Sequence, residues 1–326
     1  MATARSDPRT VEAIQADRPR IAVILPCYDE AAAISRTVAA FRAALPDAIV
    51  YVYDNNSSDG TRELAAAAGA LVRTERMQGK GHVVRRMFAD VDADVYVMAD
   101  GDETYDAAAA PAMVKLLLAE NLDMVVGARQ SEVDAAYRRG HRLGNRLLTA
   151  ILARIFGRTF SDILSGYRVF SRRFVKSFPV LSAGFEIETE ISVHALELRM
   201  PVAEIVTAYG ARPEGSASKL STWRDGWRIL NTILTLFRIE RPVVYFGAIG
   251  AVLALLAIIL AVPLAITYAQ TGLVPRMPTA ILSTGLMILA FLNGFCGLIL
   301  DTVVRGRREV RRLAYLALPP PGAHSP

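Results

Sequence analysis

Two uncharged apolar runs near the C-terminus constrain this chain most. Residues 242–269 and 278–300 contain no Asp, Glu, Lys or Arg. Each exceeds the ~20 residues that cross a hydrocarbon core of ~30 Å. Core helices of soluble proteins seldom stay uncharged for so long, so the pair is expected to span a membrane. Roughly two hundred residues then remain for one α/β domain, enough for a sizeable core.

Lys and Arg outnumber Asp and Glu by 37 to 32, a net charge of +5. Their distribution argues against a nucleic-acid partner. Basic residues gather in 138–158, just before 241 and in 305–312. All three stretches suit a membrane surface, where anionic lipids attract Lys and Arg, or an anionic substrate. The loop at 270–277 has Arg276 alone, whereas Arg305, Arg307, Arg308, Arg311 and Arg312 follow the second run and Arg238 and Arg241 precede the first. The positive-inside bias places the large domain and the C-terminus in the cytoplasm, on a multi-pass protein of the inner or plasma membrane. Residues 1–18 lack the apolar stretch of a secretory signal. Cys27 and Cys296 lie in different regions and are not expected to meet, which fits a reducing compartment.

The expected organisation is a flexible tail at 1–18, an α/β domain at 19–218 and an amphipathic juxtamembrane helix at 219–241. Two spans at 242–301 and a basic, then Pro-rich, cytoplasmic tail at 302–326 complete it, with little reason for 315–326 to fold. In the juxtamembrane segment Trp223, Trp227, Leu230, Leu234 and Phe237 recur at helical spacing, with Arg224, Arg228 and Arg238 on other faces. Within the domain, strand patterns at 21–25, 49–53, 71–72, 95–99 and 124–127 alternate with helical patterns at 31–45, 61–68, 81–88 and 111–120. That alternation predicts a doubly wound, mostly parallel sheet. Ligands bind such sheets beyond the carboxyl ends of the strands.

Three motifs sit at those ends. Asp100-Gly101-Asp102 closes the fourth strand pattern. Two carboxylates so placed can face one hard cation, whose oxygen shell is often completed by substrate phosphates. The run 53–61 (YDNNSSDGT) follows the second strand, with short polar side chains suited to a base edge or a ribose. Asp59 there also suits a helix cap. Pro26 to Glu30 follow the first strand. Gly79-Lys80-Gly81 opens a helix and can meet phosphate through Lys80 and the backbone, although it is not a Walker A loop.

Pro26-Cys27-Tyr28-Asp29-Glu30, the 54–61 run, Gly79-Lys80-Gly81, Asp100-Gly101-Asp102 and the stretch 162–168 (DILSGYR) stand in an order that resembles glycosyltransferase family 2. With two C-terminal spans the chain most resembles the polyprenyl-phosphate hexosyltransferases, the group of dolichol-phosphate mannose synthases and bactoprenol glucosyltransferases. The resemblance covers about residues 20–215 by motif. It implies a GT-A fold, inverting transfer and a divalent cofactor, Mg2+ or Mn2+. It implies a nucleotide pocket lined by Pro26, Tyr28, Glu30 and Asp54, with Asp59, Lys80 and Arg129 as further donor-side candidates. Asp100 and Asp102 would stand at the metal and diphosphate, and Asp162, Ser165 and Arg168 at the acceptor. The chain departs from the pattern at Asn55, where a second Asp is common, and at Thr104, where mannose synthases carry a metal-binding Gln. Base selectivity and a third protein ligand stay open.

The expected partners are a nucleotide sugar, polyprenyl phosphate and the membrane, with homo-oligomerisation left open. A phosphate nucleophile is largely deprotonated at neutral pH because its second pKa is near ~6. The site then needs cations more than a strong base, and Arg168, Arg129, Arg139 and Arg142 are the arginines considered. Asp162 is the candidate base, with Glu186 and Glu188 as rivals. Transfer to a glycerolipid or sphingolipid hydroxyl is the main alternative. A polysaccharide synthase is disfavoured because Gln15, Gln78, Gln130 and Gln270 do not begin a Q-x-x-R-W motif. A non-catalytic membrane scaffold leaves Asp100 and Asp102 unexplained.

Overall fold

A computed structural model describes residues 19–130, 160–184, 186–210, 235, 237–239 and 241–322. The tail at 1–18, most of the juxtamembrane helix and Arg139 and Arg142 lie outside these residues. The chain forms two compact units, one of residues 1–226 with 311–326 and one of residues 227–310.

The first unit is built on β1 (Ile21–Cys27), β2 (Ile49–Asp54), β3 (Leu71–Thr74), β4 (Val95–Met98), β5 (Met124–Gln130), β6 (Arg168–Ser171) and β7 (Val202–Ala208). They form one sheet in the order β3-β2-β1-β4-β6-β5-β7. The pairs β1–β2, β1–β4, β2–β3 and β5–β7 are parallel, and β6 runs antiparallel to both β4 and β5. Val23, Ile24 and Leu25 of β1 and all of β4 are buried on both faces, as central strands of a covered parallel sheet must be. The helices α1 (Ile34–Ala44), α2 (Thr61–Ala67), α3 (Lys80–Asp90), α4 (Ala110–Ala119), α5 (Arg172–Ser177) and α6 (Ile187–Glu197) complete the layers. In α1 the residues Ile34, Val38 and Phe41, spaced at one helical face, are those buried.

The sheet differs from the expectation at its far side. β6 and β7 were not anticipated, and β6 enters the sheet against the direction of its neighbours. Because it is antiparallel, its first residue lies at the edge where β1, β2 and β4 end. That places the 162–167 segment among the strand-end motifs.

At the opposite edge, where β5 begins, Asp123 is fully buried. Its carboxylate accepts hydrogen bonds from Ser171 Oγ (2.7 Å), from Nε and Nη2 of Arg173 and from Tyr315 Oη (2.9 Å). The guanidinium groups of Arg173 and Arg312 lie 4.7 and 5.1 Å from the Tyr315 ring centroid. Arg311 pairs with Glu197 at 2.6 Å, and Arg312 donates to Leu198 O at 2.9 Å. The expectation that residues 315–326 have little reason to fold is therefore corrected at Tyr315. A buried carboxylate needs donors, and Tyr315 supplies one.

The second unit contains α7 (Pro242–Thr271) and most of α8 (Met277–Leu316), both long and apolar enough to cross a membrane. Thr267, Thr271, Thr284, Asn293 and Thr302 each donate to the carbonyl four residues earlier. Their polar atoms are thus satisfied inside the helix, as an apolar surrounding requires.

Candidate active site

Asp100 and Asp102 follow β4 directly. The β4–β6 register pairs Met98 with Arg168, and its continuation sets Asp100 opposite Gly166. A Cβ on Gly166 would lie 2.9 Å from Asp100 Oδ2, so the glycine keeps space beside that carboxylate. Asp102 is buried, and its Oδ1 accepts from Thr104 N (3.2 Å) and Thr104 Oγ1 (2.6 Å). Thr104 therefore orients Asp102. Glu103 adopts φ +61° and pairs with Arg36 at 2.6 Å, away from this carboxylate pair.

Lys80 begins α3 and is drawn into the same place. Its Nζ lies 2.5 Å from Asp100 Oδ1 and 2.5 Å from Glu188 Oε1. Burial alone would lower its pKa, but the Asp100 and Glu188 carboxylates hold it well above the usual lysine range. The preceding Gly79 has φ +133°, and a Cβ there would lie 2.2 Å from Ala183 O. Its N–H donates to Asn55 Oδ1 at 2.7 Å. The Gly81 N–H donates to Ala183 O at 3.1 Å. The two glycines of the G-K-G motif thus serve packing, and the lysine alone faces the carboxylates.

The β1 and β2 ends form the neighbouring wall. Asp54 is fully buried. Its Oδ2 accepts from Ser57 N at 3.3 Å, and its Oδ1 has no hydrogen-bond partner among the described residues. An orphaned buried carboxylate oxygen at a strand's ligand-binding end is an atom that a bound donor group would satisfy. Tyr28 is exposed at the rim beyond Pro26. Glu30 is buried, and its N–H donates to Thr61 Oγ1 at 2.8 Å.

Asp59, a donor-side candidate, is held by the loops around it. It accepts from Ala31 N (2.9 Å), Thr61 N (3.1 Å) and Thr61 Oγ1 (2.5 Å), stapling the two loops together. These bonds outweigh its partial burial and hold its pKa below the usual value. Asn55 is also structural. Its Nδ2 donates to Glu75 O (2.9 Å) and Met77 O (2.8 Å), which an ionised Asp in that place could not do.

The acceptor-side expectations are redistributed. Arg168 is fully buried rather than facing a ligand. Its guanidinium donates to Ser165 O (2.8 Å), Ile163 O (2.5 Å) and Glu188 O (3.1 Å), and burial pushes its pKa down to about 10. Ser165 is buried too. Its hydroxyl donates to Gly127 O at 2.6 Å and accepts from Tyr167 N at 3.2 Å. Neither residue is placed to touch a substrate. Both shape the loop that carries Asp162.

Arg129, at the end of β5, is the arginine that pairs with Asp162 among the described residues. Asp162 holds it through Nε (2.6 Å) and Nη2 (2.8 Å), and the guanidinium lies 5.4 Å from the Tyr209 ring centroid. Burial would raise the Asp162 pKa, but the hydrogen bonds and charge of Arg129 hold it below the usual value. Tyr105 was missed by sequence reasoning. Its hydroxyl accepts from Gly166 N at 2.9 Å, its ring packs on Tyr167 and Tyr209, and it feels the charges of Asp100, Arg129 and Lys80. The available signal was an aromatic residue directly after the 100–104 run.

Among the described residues no group of three or more His, Cys, Asp or Glu could hold a metal ion. The donor set is the carboxylate pair Asp100 and Asp102. Mg2+ characteristically takes one or two carboxylates and completes its shell with water and substrate phosphate. The residues present therefore fit Mg2+ or Mn2+ carried with a diphosphate, not a cation caged by protein alone.

Residues 22–178 match the family described as Glycosyl transferase family 2. Glycosyltransferase AglJ of Haloferax volcanii is 35% identical over 232 residues, covering 71% of this chain and 76% of that protein. Protein RfbJ of Shigella flexneri is 54% identical over 123 residues, covering 37% of this chain and 95% of that protein. Low-salt glycan biosynthesis hexosyltransferase Agl6 of Haloferax volcanii is 31% identical over 252 residues, covering 74% of this chain and 60% of that protein. Glucosyl-3-phosphoglycerate synthase from Mycobacterium tuberculosis, solved with Mn2+, UDP-glucose and phosphoglyceric acid, matches with a TM-score of 0.54 at 24% identity. That likeness covers 72% of this chain and 85% of the synthase, and it shows the fold, GT-A. By its family match and its likeness to AglJ over most of both lengths, the chain belongs to glycosyltransferase family 2 and is a glycosyltransferase.

Proposed function

We propose that this enzyme transfers a hexose, with inversion, from a UDP- or GDP-linked sugar to polyprenyl phosphate at the cytoplasmic face of a membrane. The observation that carries the reading is the joining, in one chain, of the Asp100–Asp102–Lys80 cluster with two helices able to cross a bilayer. A relative named as a hexosyltransferase and a fold neighbour solved with Mn2+ and UDP-glucose support the donor class. The proposed organisation is a catalytic domain at 19–218, an interfacial helix at 219–241 and two spans at 242–301. The arginines after residue 300 are on the inner side.

Asp100 and Asp102 would hold the Mg2+ or Mn2+. When bound, that ion neutralises charge developing on the leaving diphosphate. Lys80 supplies a second positive charge beside the leaving diphosphate. Asp54, with its unpaired Oδ1, receives a donor from the nucleotide, and Tyr28 covers it from the rim. Arg129, held edge-on by Asp162, meets the acceptor phosphate. An oxygen of that phosphate attacks the anomeric carbon as the bond to the diphosphate breaks, and no proton has to move.

The carboxylates favour a phosphate acceptor over a hydroxyl. A hydroxyl nucleophile needs a general base with a pKa near the working pH. Asp162 is held low by Arg129, and Glu188 is paired with Lys80. The test is to incubate membranes containing the enzyme with a panel of labelled nucleotide sugars. Label should enter a lipid fraction and be released by mild acid, as a glycosyl phosphate is. Label that resists mild acid would mean transfer to a hydroxyl.

A further inference from the structure

Glu188 is the carboxylate that the reading above leaves without a part. It is buried in the first turn of α6, and its Oε1 lies as close to Lys80 Nζ as Asp100 Oδ1 does, 2.5 Å in each case. Its own backbone is fixed, since its carbonyl accepts from Arg168 Nη2 (3.1 Å) and Ser192 Oγ (3.0 Å). The start of α3 is fixed as well, by the Gly81 N–H on Ala183 O. Two anchored carboxylates therefore share one ammonium.

A divalent cation approaching Asp100 meets that ammonium on the same carboxylate. Two cations cannot share it at close range without strong repulsion. Lys80 must then leave Asp100, and a buried ammonium left without a partner is strongly unfavourable. Among the described residues Glu188, 2.5 Å from the same ammonium, is a partner that remains.

We propose that Glu188 is a positioning residue that retains Lys80 when a divalent cation claims Asp100, and so sets how tightly the cation binds. In the substrate-free enzyme Lys80 competes with the cation for Asp100. Glu188 lowers the cost of its displacement and keeps the ammonium beside the incoming diphosphate. The proposal rests on the metal-dependent reading of the site.

The test measures Mn2+ binding to the full-length protein in detergent by electron paramagnetic resonance. The wild type, Lys80→Met, Glu188→Gln and the double variant are compared, each alone and with UDP or GDP. Lys80→Met should tighten binding of Mn2+ alone. Glu188→Gln should weaken it roughly tenfold, within the range for residues in contact. In the double variant the Glu188 effect should vanish, because Lys80 is no longer there to be retained. Glu188→Asp, which keeps the charge, should recover most of the affinity, and it carries the same comparison if Glu188→Gln fails to fold. Equal weakening with and without Lys80 would mean that Glu188 acts on the cation directly and would overturn the proposal. So would a Lys80→Met protein that binds Mn2+ no better than the wild type. Absence of Mn2+ binding in every form, with either nucleotide, would instead remove the metal-dependent reading and the proposal with it.

Discussion

The Asp162 carboxylate grips the Arg129 guanidinium edge-on, with Oδ2 2.6 Å from Nε and Oδ1 2.8 Å from Nη2. The partners come from different places, Arg129 from the end of β5 and Asp162 from the segment that leads into β6. Bidentate pairing fixes direction as well as distance. Asp162 thereby aims a cation and gives up the basicity that catalysis by a free carboxylate would need.

Arg129 and Arg168 should respond differently to truncation. Arg129→Ala is expected to lose at least about tenfold in kcat/KM, the scale of a lost charge-assisted contact, together with a fall in melting temperature from the loss of Asp162's partner. Arg168→Ala is expected to melt early, because the Ser165 carbonyl loses its donor and the Ile163 and Glu188 carbonyls each lose one of theirs, at about 1–3 kcal/mol for a carbonyl left unsatisfied. Melting curves and steady-state kinetics on the two purified variants check this. A stable Arg168→Ala protein impaired only toward the lipid would restore Arg168 to the substrate side.

Asp102→Asn should lose turnover by about a hundredfold or more, the scale on which removing one aligned electrostatic group costs catalysis. Asn keeps the volume and can still accept from Thr104, so folding should survive. Activity titrated with Mg2+ and Mn2+, beside a melting curve, is the measurement. Near-normal turnover in the variant, or full wild-type activity in excess chelator, would count against the metal role.

The Asp162–Arg129 pair should contribute to the acid limb of stability. The Asp162 pKa lies below its ordinary value of 3.8 in the folded protein. A carboxyl depressed by folding stabilises fully above its unfolded pKa, and that contribution is lost as pH falls through the folded pKa. Below about pH 4 the wild type should therefore lose stability more steeply than Asp162→Asn. Melting temperatures of both proteins, measured downward from about pH 6, would show parallel acid limbs if the pair contributed nothing.

Asn55→Asp, a small change in formula, should destabilise the 75–79 loop. The carboxylate would face the carbonyls of Glu75 and Met77 that the amide now satisfies. Each loses a donor, and a fall in stability of about 1–3 kcal/mol is expected. The same change should weaken nucleotide binding, because Asn55 Oδ1 also holds Gly79 beside Lys80. Denaturant unfolding and nucleotide titration together check it.

Much of this was legible in the chain. The strands β1, β2 and β4 carry fully apolar runs, and the helices between them are periodic, so the parallel half of the sheet could be read directly. β6 could not, since it is short, begins with an arginine and takes its direction from neighbours distant in sequence. β7 alternates exposed and covered residues along an edge, a weaker pattern. Asp100, Asp102 and Asp54 stand at strand ends and Lys80 at a helix start, as the pattern of the chain implies. Arg168 misled because sequence reports charge and not burial. Its carbonyl partners come from residues 163, 165 and 188, and only the fold brings them together.

Tyr315 is made after both apolar runs, yet its hydroxyl closes the donor shell of Asp123, nearly two hundred residues earlier in the chain. During synthesis the sheet can assemble with Ser171 and Arg173 donating to that carboxylate while Oδ2 still lacks its second donor. The last bond forms only when the end of α8 has emerged. The glycosyltransferase domain is thus continuous in space and interrupted in time, and its final stitch waits for the helices that interrupt it.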